Sequence, residues 1–325
     1  MHEPILAVGL LPAVEQAELV LRGGFEVVWR DRRRELPSDV ELLATADGPA
    51  LNLATKTGEF IAYGEDVELR PRSPEAGFEL RGMTVGVKFH WEHTEDLRFP
   101  GSAMLAARGG RIHVINRVPL EQYLVSVISS EMSAACPPAL LRAHAVISRS
   151  WLLAQLQGKG EAPTPPPWME PPEPRDGDRV RIWRWYDRED HADFDVCADD
   201  HCQRYQGITR AFSPEASAAV AATRGLVLVS DDAVCDARFS KCCGGITELF
   251  SNAWGDEDLP YLQAFVDGEG DVGFPLSGEE AASAFLLGSP DVYCNAADPE
   301  LLTRLLPDID HGTADFFRWS STWSR

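Results

Sequence analysis

Two hydrophobic stripes separated by paired prolines constrain the fold of this chain most strongly. After Pro119, apolar residues recur every three or four positions through Ile128, which is the spacing of one buried face of a helix. The prolines at 137 and 138 end that helix and allow another to begin, and a second stripe follows over residues 140–152. The sequence therefore predicts a helical hairpin.

One acidic residue, Glu131, continues the first stripe near the elbow of this hairpin. A carboxyl group that faces a core is costly unless it is paired, hydrogen-bonded or protonated. Two interpretations follow. Glu131 either lies at a frayed helix end, where it reaches water or pairs with Arg142 or Arg149, or it is a partly buried acid that delivers a proton near neutral pH.

The segments on either side of the hairpin place the chain in the α+β class. Short strands are predicted before it, at ILAVGLL, FEVVWR, EFIAYG and MTVGVKFHW, and short strands mixed with brief helices are predicted after it. We expect a β-rich N-terminal region over 1–97, then a mixed core over 98–290 that carries the hairpin and its acid. A proline-rich stretch at 158–178 is predicted to be an inserted loop, and 291–325 is a C-terminal segment.

Composition excludes several function classes. With 325 residues, 44% hydrophobic and 25% charged, the chain can bury a sizeable core in one or two domains. Its net charge of −21 and its lack of a basic stripe argue against nucleic acid as the main ligand. The longest apolar runs fall far short of the roughly 20 residues of a membrane span, so no transmembrane segment is expected.

The cysteines provide a second chemical signal. There are seven, so at least one is free or bound to something other than another cysteine of the chain. Residues His191, Cys197, His201 and Cys202 bring four imidazole or thiolate groups close together in the sequence. Metal binding, a disulfide and unpaired cysteines are all compatible with that spacing, which is not that of a zinc finger.

The motif VPLEQYLVSVISSEMSAACPPALLRAHAVISRSWLL resembles the core of the stage II sporulation protein D family, also called the amidase-enhancer family. The shared features are the Pro-Leu-Glu helix start, the Ser-Glu-Met triplet at 130–132 and the Ala-x-Ala-x-x-x-Arg pattern that ends at Arg149. Downstream, CQRYQG, AAVAATRGLVLV, ARFSKCCGGITE and WGDEDLPYLQAFVD follow in the family's order, so the resemblance covers residues 98–267.

This resemblance implies a peptidoglycan lytic transglycosylase that cleaves the bond between N-acetylmuramic acid and N-acetylglucosamine. The catalytic acid of the triplet would be Glu131. Ordinary glycosidases need two carboxyl groups. A lytic transglycosylase needs only one, because the C6 hydroxyl of the muramic acid attacks C1 and gives a 1,6-anhydro sugar. The alternative is a non-catalytic peptidoglycan-binding module that stimulates an N-acetylmuramoyl-L-alanine amidase.

The resemblance also implies a zinc ion near the acid, with His191, Cys197 and Cys202 as its ligands. His201 could complete the site instead, although neighbouring residues rarely both point at one metal. For substrate binding we predict Gln203 and Tyr205, because amides and aromatic faces commonly hold sugars. We add the pair Ser240 and Lys241, which can hydrogen-bond glycan, although a structural turn explains that segment equally well.

The implied partners are peptidoglycan glycan strands and a cell-wall amidase, without nucleic acid. Since peptidoglycan lies outside the cytoplasmic membrane, we expect export to the periplasm or cell wall, with the signal peptide outside the printed sequence. The chain departs from the family near its C-terminus, where a Gly-His-Gly signature is missing. Loss of that segment and an early end of the sequence both explain its absence.

A thiol hydrolase is a further alternative. Cys136 precedes a predicted helix N-terminus, where the helix dipole lowers the pKa of a thiol, and His144 follows on the same helix. Cys242 and Cys243 are each candidates for pairing with Cys235 or Cys294 in an exported protein, with a connectivity that the sequence does not determine.

Overall fold

The computed structural model describes residues 3–87, 92–157, 191–211, 213–240, 242–254, 258–269, 276, 278–296, 298 and 300–301. Its contacts divide the chain into two compact units, one of Met1–Ser148 with Asp190–Leu226 and one of Arg149–Glu189 with Val227–Arg325. The predicted divisions at 97/98 and 290/291 rest on composition and stay predictions. The insertion predicted at 158–178 lies outside the described residues.

The first unit is built mainly from twelve consecutive strands, which confirms the α+β class with a β-rich N-terminal part. Three of them, β1, β3 and β7, coincide with predicted strand segments, the segment MTVGVKFHW overlaps β9 only at 83–85, and several charged or alternating strands were missed. The strands are β1 Ile5–Val14, β2 Gln16–Arg22, β3 Phe25–Trp29, β4 Arg32–Leu36, β5 Glu41–Asp47, β6 Ala50–Thr55, β7 Phe60–Gly64, β8 Asp66–Pro71, β9 Gly77–Val85, β10 His93–Pro100, β11 Ser102–Arg108 and β12 Arg111–Pro119.

These strands form two sheets that share one core. One sheet has the order β13-β1-β12-β11-β8-β3-β4, where β13 is Val196–Cys197, and the other has the order β10-β9-β2-β5-β6-β7. Strand β12 contacts β5 and β2 of the opposite sheet, and β11 contacts β6. Alternate residues point inward, as the period of a half-buried strand requires. The fully buried side chains include Leu19, Phe25, Leu53, Phe78, Leu105 and Val114.

The predicted helices follow β12. Helix α1 is Leu120–Ile128, a π-helical turn follows at Ser129–Ser133, and α2 is Pro138–Gln157. Pro119 occupies the N-cap of α1, where its missing N–H has no intrahelical role. Helix α1 packs chiefly against α3 (Pro214–Ala222), the 3-10 turn Gly207–Thr209 and β12. The apolar stripe of α1 therefore closes one end of the first unit.

The second unit contains little regular structure among its described residues. Besides the part of α2 from Arg149 onward, its elements are β14 Val229–Ser230, β15 Ala233–Val234, α4 Phe250–Ala253, α5 Glu279–Leu287 and a 3-10 turn at Tyr293–Asn295. A backbone bridge joins Ile246 to Val266 in antiparallel fashion. Among the described residues of the whole chain, no helix has both the length and the apolar character needed to cross a membrane.

Candidate active site

Glu131 lies on the π-helical turn between α1 and α2 and is half-buried. Two serines explain why the α-helical pattern widens there. The hydroxyl of Ser129 donates to the Val125 carbonyl at 2.7 Å, and the hydroxyl of Ser130 donates to the Ser126 carbonyl at 2.8 Å. Such back-bonding competes with the helical ladder, and π-turns occur frequently at functional sites.

A segment without regular secondary structure, residues 203–206, lies beside this turn and contacts the acid. The backbone N–H of Arg204 donates to Glu131 Oε1 at 2.8 Å, and that of Gln206 donates to Ser130 Oγ at 3.2 Å. Both amides therefore face the π-helical turn. One oxygen of the Glu131 carboxyl is thus positioned by main chain rather than by a flexible side chain.

The segment that precedes Arg204 is attached to the edge of the seven-stranded sheet. Val196 and Cys197 pair in parallel with Val8 and Gly9 of β1, and the Ala198 N–H donates to the Gly9 carbonyl at 2.9 Å. A Cβ at position 9 would lie 2.5 Å from the ring of Phe194, so a larger residue there would require that ring to move. That ring in turn contacts the imidazole of His191, with centroids 4.5 Å apart.

Four potential metal ligands converge on this segment: His191, Cys197, His201 and Cys202, with ligand atoms within 4.8 Å of one another. The Sγ atom of Cys202 is 3.4 Å from His191 Nε2 and 3.4 Å from His201 Nδ1, and Cys197 Sγ is 3.8 Å from His201 Nδ1. Tetrahedral zinc with ordinary Zn–N and Zn–S bonds separates its ligand atoms by roughly 3.3–3.8 Å. The donor set and its spacing therefore fit one zinc ion.

The sequence assigned three of these ligands and left His201 as an alternative. In the structure, the side chains of both His201 and its neighbour Cys202 belong to the cluster. A turn between Cys197 and Cys202 brings them back toward Cys197. The Cys202 N–H donates to the Asp199 carbonyl at 3.1 Å, and the Tyr205 N–H returns to the Ala198 carbonyl at 2.9 Å. This tight loop is what allows adjacent residues to face one centre.

The electrostatic environment of the cluster favours the thiolate form of Cys197. Hydrogen bonding from Cys202, then from His191 and His201, holds the pKa of the Cys197 thiol well below its usual range, against the opposing effect of burial. The pKa of the nearby Tyr123 hydroxyl is shifted in the opposite direction. Burial, followed by the charges of Cys202, Cys197 and Glu131, raises the pKa of Tyr123 well above its normal value. Tyr123 therefore stays neutral between the acid and the thiols.

A second charged pair fixes the loop that carries the Arg204 amide. Asp200 Oδ1 accepts from Arg204 Nε at 2.8 Å and from Arg204 Nη2 at 2.7 Å. The other oxygen, Oδ2, is buried and has no hydrogen-bond partner among the described residues. Since Asp200 precedes the potential ligands His201 and Cys202, this ion pair connects the loop that carries them to Arg204, whose N–H contacts Glu131.

Two of the predicted substrate-binding residues are buried. Gln203 is 1% exposed, accepts from the Tyr123 hydroxyl at 3.4 Å and donates to the Ser148 carbonyl at 3.3 Å. Tyr205 is 0% exposed, and its hydroxyl donates to Asn116 Oδ1 at 2.6 Å. In this structure both side chains support the segment around Arg204. Their contact with glycan stays a prediction.

The other predicted residues lie apart from this description. Ser240 is exposed and belongs to the second unit, and Lys241 lies outside the described residues. The alternative hydrolase pair, Cys136 and His144, is buried at 5% and 3% exposure. A nucleophile has to reach its substrate, so burial removes the main support for that alternative.

Sequence reasoning missed the contributions of Arg204, Ser130, Asp200 and Asn116. The amide of Arg204 carries no residue-type signal, because every residue except proline offers the same donor. Asp200 could have been found, since it lies four residues before Arg204 within the ligand segment, a spacing that suits an ion pair.

Comparison with known proteins identifies the region that contains this site. Residues 108–229 match the family model described as stage II sporulation protein, and residues 248–325 match a domain of unknown function, DUF8618. A stage II sporulation protein D from Bacillus amyloliquefaciens is 24% identical over 155 residues, which cover 47% of this chain and 39% of that relative. The chain thus matches well under half of the length of this curated relative.

The matched region contains the acid, the π-turn, all four cluster residues and the Arg204 amide. Of the downstream motifs on which the resemblance over 98–267 was based, CQRYQG and AAVAATRGLVLV lie inside the matched range, whereas ARFSKCCGGITE and WGDEDLPYLQAFVD lie beyond it. Residues 108–229 therefore form a domain of the stage II sporulation protein family.

Proposed function

We propose that this chain is a peptidoglycan lytic transglycosylase in which Glu131 is the single acid and base. The observation that carries the proposal is the hydrogen bond of 2.8 Å from the Arg204 N–H to Glu131 Oε1, on a π-turn inside the family-matched region. A half-buried carboxyl whose orientation is fixed by main chain suits directed proton transfer.

The chemistry needs one group in two roles. Protonated Glu131 donates its proton to the glycosidic oxygen as the bond from that oxygen to C1 of the muramic acid breaks. The resulting carboxylate then accepts the proton of the C6 hydroxyl while O6 forms a bond with C1. Glu131 ends protonated, no water is consumed, and the products are a 1,6-anhydromuramic end and a free sugar hydroxyl. A second catalytic carboxyl, which hydrolysis requires, has no role here.

We further propose that zinc binds at His191, Cys197, His201 and Cys202, since the donor types and spacings fit it. A zinc ion with four protein ligands supplies folding free energy to its loop rather than an open coordination position. The role of the loop residues is then to position the groups around Glu131. Arg204 follows Cys202 by two residues, so fixing the loop also fixes the amide that orients Glu131.

The proposed substrate also gives the proposed partners and location. Glycan strands of peptidoglycan would be bound at the turn that carries Glu131, and the protein would act in the periplasm or cell wall. A cell-wall amidase is a partner of this proposal only in the alternative role, where the chain binds peptidoglycan and stimulates the amidase without cutting the glycan.

The test is digestion of purified peptidoglycan by the wild-type chain and by Glu131→Gln, with mass spectrometry of the released 1,6-anhydromuramic ends. The substitution removes the transferable proton but keeps size and hydrogen bonding, so we expect a rate at least about 100-fold lower. The matched control is Glu75→Gln on an exposed turn, which should keep full activity.

Binding separates the two functions. If Glu131→Gln sediments with peptidoglycan as well as wild type does but forms no anhydro ends, the acid is catalytic. If wild type also forms none while it binds the glycan and accelerates an added amidase, the transglycosylase proposal fails and the amidase-stimulating module replaces it.

A further inference from the structure

The second unit contains a separate thiol cluster that the proposed reaction does not use. Cys243 Sγ lies 4.0 Å from Cys294 Sγ, and both residues are half-buried, whereas Cys242 is exposed. Two sulfur atoms in van der Waals contact can reach the bonded separation of about 2.05 Å by small side-chain rotations.

The backbone around these thiols is held in place independently of them. The Asp267 N–H donates to the Gly245 carbonyl at 3.0 Å, and the Tyr293 N–H donates to the Asp267 carbonyl at 2.8 Å. Segment 265–268 therefore joins the Cys243 segment to the Cys294 segment. A Cβ at Gly268 would lie only 2.9 Å from the Asp291 carbonyl oxygen, so the segments are also closely packed.

We infer that Cys243 and Cys294 form a disulfide that links the turn at 242–245 to the DUF8618 region, and that Cys242 remains a free thiol. Cys242 also interacts with Cys294, but it is exposed, whereas Cys243 is half-buried with its sulfur 4.0 Å from that of Cys294, and this is the pairing that we select from those the sequence left open. Cys235 belongs to a different part of the unit, where its N–H donates to the Leu228 carbonyl at 3.0 Å. This inference does not depend on the proposed transglycosylase activity.

A metal site is the competing use of such thiols, and two features disfavour it. Burial raises the pKa of Cys243 and raises that of Cys294 to about 12, so both are protonated at neutral pH, whereas metal ligation requires thiolates. Cys243 also acts as a donor, with its thiol 3.5 Å from Asp267 Oδ2. Disulfide exchange also passes through a thiolate, so geometry has to separate the two uses: among the described residues, the three- or four-membered group of metal-type ligands is the one at His191, Cys197, His201 and Cys202.

The oxidant is a low-molecular-weight or protein disulfide. In the first exchange, the Cys243 sulfur loses its proton and attacks the oxidant, which forms a mixed disulfide and releases one thiolate. In the second, the Cys294 sulfur loses its proton and attacks the Cys243 sulfur, which releases the second thiolate. Two electrons and two protons leave the protein, and the oxidant becomes two thiols.

The test uses the full chain, loaded with zinc and equilibrated with oxidised glutathione, then alkylated and digested with trypsin and a glutamate-specific protease. Cleavage after Lys241 and Glu248 isolates CCGGITE, and cleavage after Glu280 and Glu300 isolates the peptide of Cys294, while Cys235 stays on a third peptide, GLVLVSDDAVCDAR. We expect CCGGITE linked to the Cys294 peptide, with the thiol of Cys235 alkylated.

Three serine variants identify the sulfur atoms. Cys242→Ser should keep the link, whereas Cys243→Ser and Cys294→Ser should lose it. In the wild type, reduction should lower the melting temperature on the order of 10 °C, since the disulfide closes a long loop, and in the Cys294→Ser variant it should change little. Alkylation of all three thiols after oxidation, a link through Cys242, or zinc held by these cysteines would each overturn the inference.

Discussion

The backbone N–H of Arg204 donates to the carboxylate of Glu131 across 73 residues of sequence, at 2.8 Å. The acid and the metal-type loop are thereby parts of one arrangement, because Arg204 lies two residues after Cys202 and its side chain is clamped by Asp200. Substitutions that increase the mobility of the loop at 197–204 should therefore alter the orientation of the Glu131 carboxyl, although they do not contact it.

Removing one cluster residue should prevent binding of the proposed zinc ion. For Cys202→Ser and for His201→Ala we expect the zinc content to fall from about one ion per chain to a small fraction, with a parallel loss of activity, because a structural site needs all four ligands. Elemental analysis of the purified proteins measures this. Cys235→Ser is the control and should retain its zinc. Full zinc in His201→Ala would show that three ligands are sufficient.

Tyr205→Phe should destabilise the first unit without changing its shape. The lost hydroxyl donates to Asn116 Oδ1 at 2.6 Å in a buried setting, so the substitution leaves an unsatisfied acceptor. We expect the free energy of unfolding to fall by roughly 1–3 kcal/mol in chemical denaturation. Tyr63→Phe, on a tyrosine that is 37% exposed, is the matched control and should cost less than about 0.5 kcal/mol. Equal losses in both variants would contradict a buried role for Tyr205.

Replacement by alanine should lower the free energy of unfolding much more at Gly207 than at Gly48. Both have positive φ, +64° and +60°, so alanine pays a conformational cost at either position. At Gly207 a Cβ would also lie 2.0 Å from the Arg98 carbonyl oxygen, whereas nothing lies within 4 Å at Gly48. We expect Gly48→Ala to lower the free energy of unfolding by about 1 kcal/mol and Gly207→Ala by about 3 kcal/mol or more. Similar melting curves for the two variants would refute this difference.

His144 should make the protein less stable in mild acid. Burial lowers its pKa from 6.5 to about 4, so the unfolded chain binds the proton more readily than the folded one. The stabilising contribution is complete above pH 6.5 and is lost as the pH falls toward 4. Between pH 7 and pH 5, this group should reduce the free energy of unfolding by about 2 kcal/mol. Denaturation of His144→Gln across this range should show a smaller slope, and identical slopes would exclude His144 as the cause.

Much of the local structure was predictable because it depends on nearby residues. The apolar stripe after Pro119 correctly predicted α1, and the prolines at 137 and 138 correctly predicted where α2 begins. The grouping of His191, Cys197 and Cys202 was visible because those residues lie close in sequence. Strands such as β4, Arg32–Leu36, were missed because a charged edge strand has no apolar alternation to detect.

The remainder of the site depends on contacts between distant segments. The meeting of the Arg204 amide with Glu131 follows from where the sheet edge places residues 196–206, which no local pattern encodes. The same holds for the burial of Gln203 and Tyr205. Their side chains were read as sugar-binding types, whereas the packing of α1 against this segment uses them as internal hydrogen-bonding groups.

The parallel pairing of β1 with residues 196–197 also bears on the order in which this protein can mature. The Ala7 N–H donates to Asp195 Oδ2, and these partners are 188 residues apart. During synthesis, β1 leaves the ribosome long before residues 196–197 have been made. The edge of β1 that pairs with them therefore stays unpaired until most of the chain has been synthesised. A deletion of Ile5–Val14, which contains no proposed ligand or acid, would therefore remove the support on which the loop is assembled.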